Sequence, residues 1–165
     1  MNTLTAPPGS THNPPPKPRD LDAGELRRLR QRIDSETQCE ILFSRFDRGR
    51  YATDASHYQM CPLGVVVPKT IDDLQALISI AHDSEICLTG RGGGTSQNGQ
   101  TINRSLIIDY SKYLNQLVHL DANQRRCIVQ PGIVLDRFTL TLGRFIQTAG
   151  KFLAVYIRHA QKRRL

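Results

Sequence analysis

A glycine-rich stretch from Thr89 to Gly99 contains the residues with the clearest potential for ligand chemistry. Five of its eleven residues are glycine, which costs chain entropy unless the backbone must adopt positive φ or something must approach it closely. Successive amides without side chains can converge on an anion and surround phosphate oxygens. The stretch predicts an anion-binding loop, with a surface loop that binds no ligand as the alternative. The residues that add side-chain donors suited to phosphate or carboxylate are Arg91, Thr95, Ser96 and Asn98.

The segments before the loop predict a strand, a helix and a second strand. Gly64–Val67, closed by Pro68, is short and uniformly apolar, as in strands buried on both faces. Thr70 can cap the following helix, and Ile86–Thr89 predicts a strand that leads directly into the loop. A βαβ unit of this kind has parallel strands, and ligands of open α/β sheets lie at the strand carboxyl ends. This position favours the anion-binding interpretation.

Two helices are predicted from the spacing of apolar residues. The first runs from Leu21 to Ile33, with Asp22 as its N-cap and Glu25 completing a capping box. The second is the helix after Thr70, which should bury one face and expose the other. Its expected buried face holds Ile71, Leu74, Leu77, Ile78 and Ala81, and its expected solvent face holds Asp72, Asp73 and Gln75.

The remaining elements are short. The charged segment Arg45–Arg50 predicts a turn, and Tyr51–Tyr58 has no clear period and predicts a loop. The other predicted elements are strands at Cys39–Phe43 and Leu106–Asp109, a hairpin of Leu117–Leu120 with Cys127–Gln130, and a helix over Ile133–Leu142 that ends at Gly143.

The spacing of the glycines excludes two common nucleotide-binding motifs. A P-loop needs a lysine after its last glycine, but Gly94 is followed by Thr95-Ser96. The dinucleotide fingerprint Gly-x-Gly-x-x-Gly would need its third glycine at Gln97 or at Thr95, depending on where it starts. The loop is therefore of another type.

Composition indicates a single soluble globular domain. The 165 residues are 39% hydrophobic and 22% charged, and no long apolar run or charged-then-apolar start predicts a membrane span or a signal peptide. We therefore expect a cytoplasmic protein. No pair of cysteines is spaced as Cys-x-x-Cys, which argues against a metal site or a redox dithiol. The four cysteines are Cys39, Cys61, Cys87 and Cys127.

The net charge of +7 is concentrated near the C-terminus. Residues 51–150 hold equal numbers of basic and acidic side chains, whereas residues 151–165 hold five basic side chains and no acidic ones. A nucleic-acid-binding domain normally carries its basic residues over a folded face. We expect no nucleic-acid partner, and an interaction through the basic tail remains a separate alternative.

Several short sequence motifs lie between Tyr51 and Gly143, and their order along the chain is informative. They are Tyr51–Ser56 with Tyr58 and Gln59, Gly64–Pro68, Arg91–Ser96 with Asn98-Gly99, Ile108-Asp109 with Tyr113–Asn115, and Val129–Val134. In this order they resemble the FAD-binding domain shared by vanillyl-alcohol oxidase, para-cresol methylhydroxylase (PCMH) and the D-lactate, glycolate and D-2-hydroxyglutarate dehydrogenases. The likeness is strongest to large bacterial proteins that join this domain to an iron–sulfur-binding C-terminal part.

The resemblance implies a fold, a cofactor and a site. The fold would be α/β, the N-terminal half of a PCMH-type domain with a small mixed sheet and flanking helices. The loop matching Arg91, Gly92, Gly93, Gly94, Thr95 and Ser96 would wrap the FAD diphosphate, and Asn98 and Gly99 would continue its wall. Some relatives attach the flavin through a histidine near this loop. Positions 90–100 contain no histidine, so non-covalent FAD is expected, and His57 is expected to be an ordinary loop residue.

Departures from the family pattern set the expected domain boundaries. We expect a disordered Pro-rich lead-in at 1–20, a helix and connector at 21–50, a partial flavin domain at 51–146 and an atypical basic tail at 147–165. The second Gly-Gly motif, the substrate-binding half and an iron–sulfur cysteine run are not found. A truncated or frame-shifted product would explain this pattern.

The expected function is the FAD-binding portion of a flavin-dependent oxidoreductase acting on a 2-hydroxy acid. This portion is expected to be inactive alone, so whether the chain is an enzyme stays open, and a second polypeptide could complete the site. The alternatives are a non-catalytic nucleotide- or phosphate-binding module and an interaction fragment.

Overall fold

The computed structural model describes residues 20–121, 123–124, 126–136 and 138. The tail predicted at 147–165 and nearly all of the lead-in predicted at 1–20 lie outside these residues. The described helices and strands, in chain order, are α1 (Ala23–Glu36), β1 (Glu40–Leu42), α2 (Arg45–Arg50), β2 (Gly64–Val67), α3 (Ile71–Asp83), β3 (Leu88–Arg91), β4 (Leu106–Asp109), β5 (Leu117–Asp121) and β6 (Arg126–Val129).

A four-stranded mixed sheet forms the centre of the described fold. Its order is β1-β2-β4-β3, with β2 and β3 parallel to β4 and β1 antiparallel to β2. All residues of β2 and β4 are buried. This is the burial predicted for the uniformly apolar β2, whereas β4 ends in a buried aspartate, Asp109. The strands on either side of α3 are parallel, although β4 lies between them. The predicted α/β class with a small mixed sheet is confirmed.

Helices α1 and α3 pack with the sheet in one core. Asp22 caps α1 through a capping box with Glu25, as predicted. The buried members of the core are Leu29 and Ile33 of α1, Leu77, Ile80 and Ala81 of α3, Val66 of β2, Leu106 and Ile108 of β4, and Ile86. Among the described residues, no helix combines the length and apolar character needed to cross a membrane.

The prediction of a turn at Arg45–Arg50 is wrong, because this segment is the short helix α2. Ser44 is its N-cap and accepts a hydrogen bond from the Asp47 amide at 3.1 Å. Asp47 lies in the first turn and Arg48 and Arg50 lie in the last, so the charges complement the helix dipole. Capping and charge placement stabilise a helix where the charge density alone indicated a turn.

The predicted faces of α3 are partly wrong. Ile71 and Ile78 are 42% and 53% exposed, whereas Asp73 is only 6% exposed. Asp73 is buried because its carboxylate accepts three backbone hydrogen bonds, at 2.8 Å from Gln38, 3.0 Å from Lys69 and 2.9 Å from Thr70. These bonds connect the start of α3 to the chain just before β1.

Replacing Asp73 should show how much this buried carboxylate stabilises the fold. Asp73→Asn is expected to lower the free energy of unfolding by about 2 kcal/mol at pH 7, because an amide has one acceptor oxygen for three donors. Burial acts to raise the pKa of the Asp73 carboxyl, but the hydrogen bonds from Gln38, Thr70 and Lys69 leave that pKa below its usual value.

The stabilisation of the fold by the Asp73 carboxylate should depend on pH. Because the folded-state pKa of Asp73 is depressed, its stabilising effect is present above the unfolded pKa of about 3.9 and is lost as the pH falls through the folded pKa. Urea denaturation should show the difference between Asp73→Asn and the parent chain shrinking below about pH 4. Asp72→Asn, at the exposed neighbouring position, is the control. A difference that is the same at pH 7 and pH 3 would contradict the prediction.

The hairpin and the segment after it complete the described fold. β5 and β6 are antiparallel, as predicted, with an irregular register between Leu117 and His119. Cys127 and Val129 of β6 are buried with Phe138. The chain is helical at Leu135, Asp136 and Phe138, which agrees with the start of the predicted helix; its predicted end at Gly143 lies outside the described residues.

Candidate functional site

The glycine-rich stretch begins inside a strand. The predicted strand is present, but it covers Leu88–Arg91 and so lies two residues later than Ile86–Thr89. Arg91 at the end of β3 is paired with Asp109 at the end of β4. The loop after Arg91 therefore leaves the sheet at the carboxyl ends of two parallel strands, the edge at which ligands of α/β sheets lie.

The main-chain amides of Gly92–Ser96 donate no hydrogen bond to any described residue. Apart from its chain neighbours, no described residue has an atom within 4 Å of the position that a Cβ at Gly92 would take. Gly94 has a φ of +67°, a left-handed conformation that occurs in anion-binding nests. The loop thus offers five amide donors without described acceptors, next to open space.

The guanidinium of Arg91 contacts the inner side of this loop. Its Nη1 donates to Thr101 O at 3.4 Å, and its central carbon lies 5.2 Å from the centroid of the Tyr51 ring. A Cβ atom at Gly94 would overlap this guanidinium. The charge of Arg91 is therefore placed against the loop backbone.

Tyr51 is held by a buried carboxylate. Its hydroxyl donates to Asp109 Oδ2 at 2.6 Å, and Asp109 Oδ1 accepts from the Ser111 amide at 2.8 Å. Burial, followed by the hydrogen bond to Asp109, raises the pKa of Tyr51 to about 12. The hydroxyl therefore stays protonated at neutral pH and remains a donor to Asp109.

The segment after Tyr51 contacts the same loop at two further points. The Ala55 amide donates to Gly94 O at 3.1 Å. Asp54 Oδ2 accepts from Thr101 Oγ1 at 3.0 Å, and Asp54 Oδ1 accepts from the Ser56 amide at 2.9 Å. Two blocks that are far apart in the sequence are thereby brought together around the glycine loop.

The structure places all the predicted site residues in or directly before one loop. Ser96 accepts from the amides of Asn98 and Gln100 and donates its hydroxyl to the Gln100 side chain. Gly99 has a φ of +75°, and a Cβ atom there would press on the Tyr58 ring. The assignment of these residues to a cofactor stays a prediction.

Four residues around the loop were not predicted to take part in the site. They are Tyr51, Asp54, Thr101 and Asp109. Tyr51, Asp54 and Asp109 belong to the blocks that carry the family resemblance, which was the only signal available. Their partners lie 47 and 58 residues away in the chain, so no local pattern reveals the contacts.

The described residues contain neither a metal-binding cluster nor a disulfide. No group of three or more His, Cys, Asp or Glu side chains in the described part could hold a metal ion. All four cysteines are free thiols. The described fold is an α/β domain in which parallel strands end in a glycine loop whose amides have no described acceptor, an arrangement typical of domains that bind phosphate-containing ligands.

Comparison with known proteins gives the family. The sequence model described as FAD binding domain matches residues 62–157, which include the glycine loop. The chain belongs to this FAD-binding domain family, and the expectation of FAD as the cofactor is confirmed at the family level. The match extends past residue 146, the boundary predicted above, and the division at that point stays a prediction.

The relatives include proteins much longer than this chain. The D-2-hydroxyglutarate dehydrogenase of Haemophilus influenzae is 38% identical over an alignment of 127 residues, and the match covers 72% of this chain and 12% of the relative. The glycolate oxidase subunit GlcD of Bacillus subtilis is 28% identical over 104 residues, 62% of this chain and 21% of the subunit. The chain thus spans about an eighth to a fifth of the length of these two relatives.

A solved structure supports the fold. That of p-cresol methylhydroxylase with substrate bound superposes with a TM-score of 0.59 at 15% identity, over 78% of this chain and 26% of that chain. At this identity the likeness concerns the fold alone. The predicted PCMH-type fold is confirmed.

Proposed function

We propose that the loop Gly92–Ser96 binds the diphosphate of FAD through its main-chain amides, with Asn98 and Gly99 forming the adjoining wall. The observation that carries the proposal is the run of five amides without described acceptors at the carboxyl edge of the sheet. An anion with several oxygens matches this donor set, because each oxygen can accept from more than one amide. FAD, when bound, supplies hydride-accepting chemistry, and the chain contributes binding and orientation.

We further propose that the chain is the FAD-binding portion of an oxidoreductase acting on a 2-hydroxy acid. The names of the relatives support this substrate class. Because the chain spans 12% of the first relative, the groups that handle the substrate would come from elsewhere, and a second polypeptide is one source. Non-covalent attachment is part of the proposal, since positions 90–100 contain no histidine. A cytoplasmic location is also proposed, and the four free thiols support it.

Titration with FAD tests the proposal. Gly93, Thr95, Gln97 and Asn98 are exposed, so a bound diphosphate would contact the described chain on one side only. We expect FAD to bind the isolated chain weakly, with a dissociation constant above about 10 μM, and to show no turnover of 2-hydroxy acids. Quenching of flavin fluorescence gives the affinity, and amide resonances assigned by NMR show where FAD binds. A sub-micromolar complex, or shifts confined to residues outside the loop, would contradict the prediction.

A non-catalytic nucleotide- or phosphate-binding module is the second candidate. The loop amides could bind the diphosphate of any nucleotide, so a comparison of ADP with FAD distinguishes this module from a flavoprotein. If ADP binds as tightly as FAD, the isoalloxazine ring makes no contact with this chain, and the module interpretation is favoured. Tighter binding of FAD than of ADP favours the flavoprotein interpretation.

A further inference from the structure

A polar and aromatic cluster lies beneath the glycine loop, and the proposed function assigns no role to most of it. We call Tyr51, Asp54, Arg91, Thr101 and Asp109 the loop latch. We propose that the latch positions the loop for the diphosphate, and that Arg91 acts through the loop backbone instead of pairing with the diphosphate directly. This inference rests on the proposed function of the loop.

Arg91 is the centre of the latch because its guanidinium already has protein partners. It lies over the Tyr51 ring at 5.2 Å, and it donates to Thr101 O. It also occupies the space that a side chain at Gly94 would need. A guanidinium stacked on an aromatic ring and bonded to a carbonyl is held in one orientation. Its position against Gly94 supports the left-handed turn of the loop.

Tyr51 connects Arg91 to strand β4 of the sheet. Its hydroxyl is bonded to Asp109 at 2.6 Å, and Asp109 is 7% exposed at the end of the central strand β4. Asp109 is itself fixed by the Ser111 amide. The Tyr51 ring is therefore anchored at its polar end, and its face is presented to the guanidinium.

Two hydrogen bonds fix the rest of the loop. Ala55 N donates to Gly94 O, so a backbone hydrogen bond from the segment after Tyr51 holds the Gly94 carbonyl. Asp54 accepts from Thr101 Oγ1, while the carbonyl of Thr101 accepts from Arg91. The latch thus holds the loop at Arg91 and Gly94, and it holds Thr101 beyond the loop.

The contacts of the latch should preorganise the glycine loop for anion binding. Glycines are conformationally permissive, so three in succession at positions 92–94 would sample many conformations unless their neighbours were fixed. When only a fraction of the chains has the binding-competent loop, the apparent dissociation constant rises by the inverse of that fraction. Loss of the latch should therefore weaken anion binding even though no amide donor is removed.

The test uses the full chain, with inorganic pyrophosphate as the probe and amide NMR as the readout. Tyr51→Leu removes both the ring and the hydroxyl, whereas Tyr51→Phe keeps the ring under Arg91. We expect Tyr51→Leu to raise the dissociation constant at least about tenfold and to increase fast motion of the Gly92–Ser96 amides. Tyr51→Phe keeps the ring but loses the hydrogen bond to Asp109, so it should raise the dissociation constant and the loop motion less than Tyr51→Leu does. Equal motion in Tyr51→Leu and the parent chain would overturn the proposal.

Arg91→Lys tests the role of Arg91 itself. Lysine keeps the positive charge but lacks the planar guanidinium group. We therefore expect the same loss of affinity and the same increase in motion of the loop amides as in Tyr51→Leu. Pyrophosphate binding within about twofold of the parent would identify Arg91 as a simple charge partner and would overturn the inference.

A core variant separates the latch from general stability. Ile33→Val removes a methylene from the fully buried side chain of α1, away from the loop, and its urea midpoint serves as the reference for destabilisation. We expect it to leave the loop amides rigid, and an equal loosening in this variant would contradict the latch. If the parent amides do not respond to pyrophosphate, the proposed function fails, whereas the motion in the ligand-free variants still decides the latch.

Discussion

Gly132→Ala is expected to lower the free energy of unfolding by roughly 3 kcal/mol or more, a large part of the stability of a small domain. Gly132 is buried, and its amide donates to Leu114 O at 2.8 Å. A methyl group at this position would overlap Tyr110 O and would lie 2.9 Å from Leu114 O. Both are backbone atoms, so no side-chain rotation can relieve the overlap.

The same substitution should also disturb the candidate site. Tyr110 follows Asp109 directly, and its amide donates to Arg91 O at 2.9 Å. Displacement of the Tyr110 carbonyl would therefore affect the chain between Asp109 and the turn at Ser111. Glycine at position 132 is thus needed for the close approach of two backbone segments.

Urea denaturation followed by circular dichroism measures this effect. Gly49→Ala is the matched control, because a Cβ atom at Gly49 in α2 would meet no atom within 4 Å. Alanine is favoured over glycine in a helix by up to about 1 kcal/mol, so the control should be as stable as the parent chain or more stable. A Gly132→Ala chain within about 1 kcal/mol of the parent would contradict the prediction.

The parts of the fold with a strong local signal could be predicted from the sequence. β2 is a short, uniformly apolar run, which is the composition of a strand buried on both faces, and the apolar residues of β4 predicted a strand. The start of α1 has a capping box whose two partners are three residues apart, Asp22 and Glu25. In each case, the physical cause lies within a few residues of the element.

The parts that depend on distant partners could not be predicted. Asp73 is buried because amides from Gln38 and Lys69 reach its carboxylate, and the first of these lies 35 residues away. The helical pattern of α3 alone places an aspartate in water. The partner of Tyr51 lies 58 residues away. Sequence therefore predicted where the loop lies and what it could bind, but not what holds it in place.

Gly92→Ala is expected to leave the fold intact and to weaken diphosphate binding by roughly 100-fold. Among the described residues, only its chain neighbours have atoms within 4 Å of the position that its Cβ would take, so the free energy of unfolding should change by less than about 0.5 kcal/mol. A ligand bound to the neighbouring amides would have to occupy the same space. Loss of two charged hydrogen bonds, at about 1.5 kcal/mol each, corresponds to the expected change in affinity.

Gly94→Ala serves as the comparison for Gly92→Ala, because it should lower both the free energy of unfolding and the affinity for diphosphate. Gly94 has a φ of +67°, which costs a side chain roughly 1–2 kcal/mol, and the new methyl group would collide with the Arg91 guanidinium. Urea denaturation and a titration with ADP, followed by the amide resonances of residues 92–96, separate the two effects. If Gly92→Ala is as stable as the parent chain and also binds ADP as tightly, the diphosphate does not approach this loop. A loss of affinity in Gly92→Ala without a loss of stability is the result expected if the ligand fills the space beside Gly92.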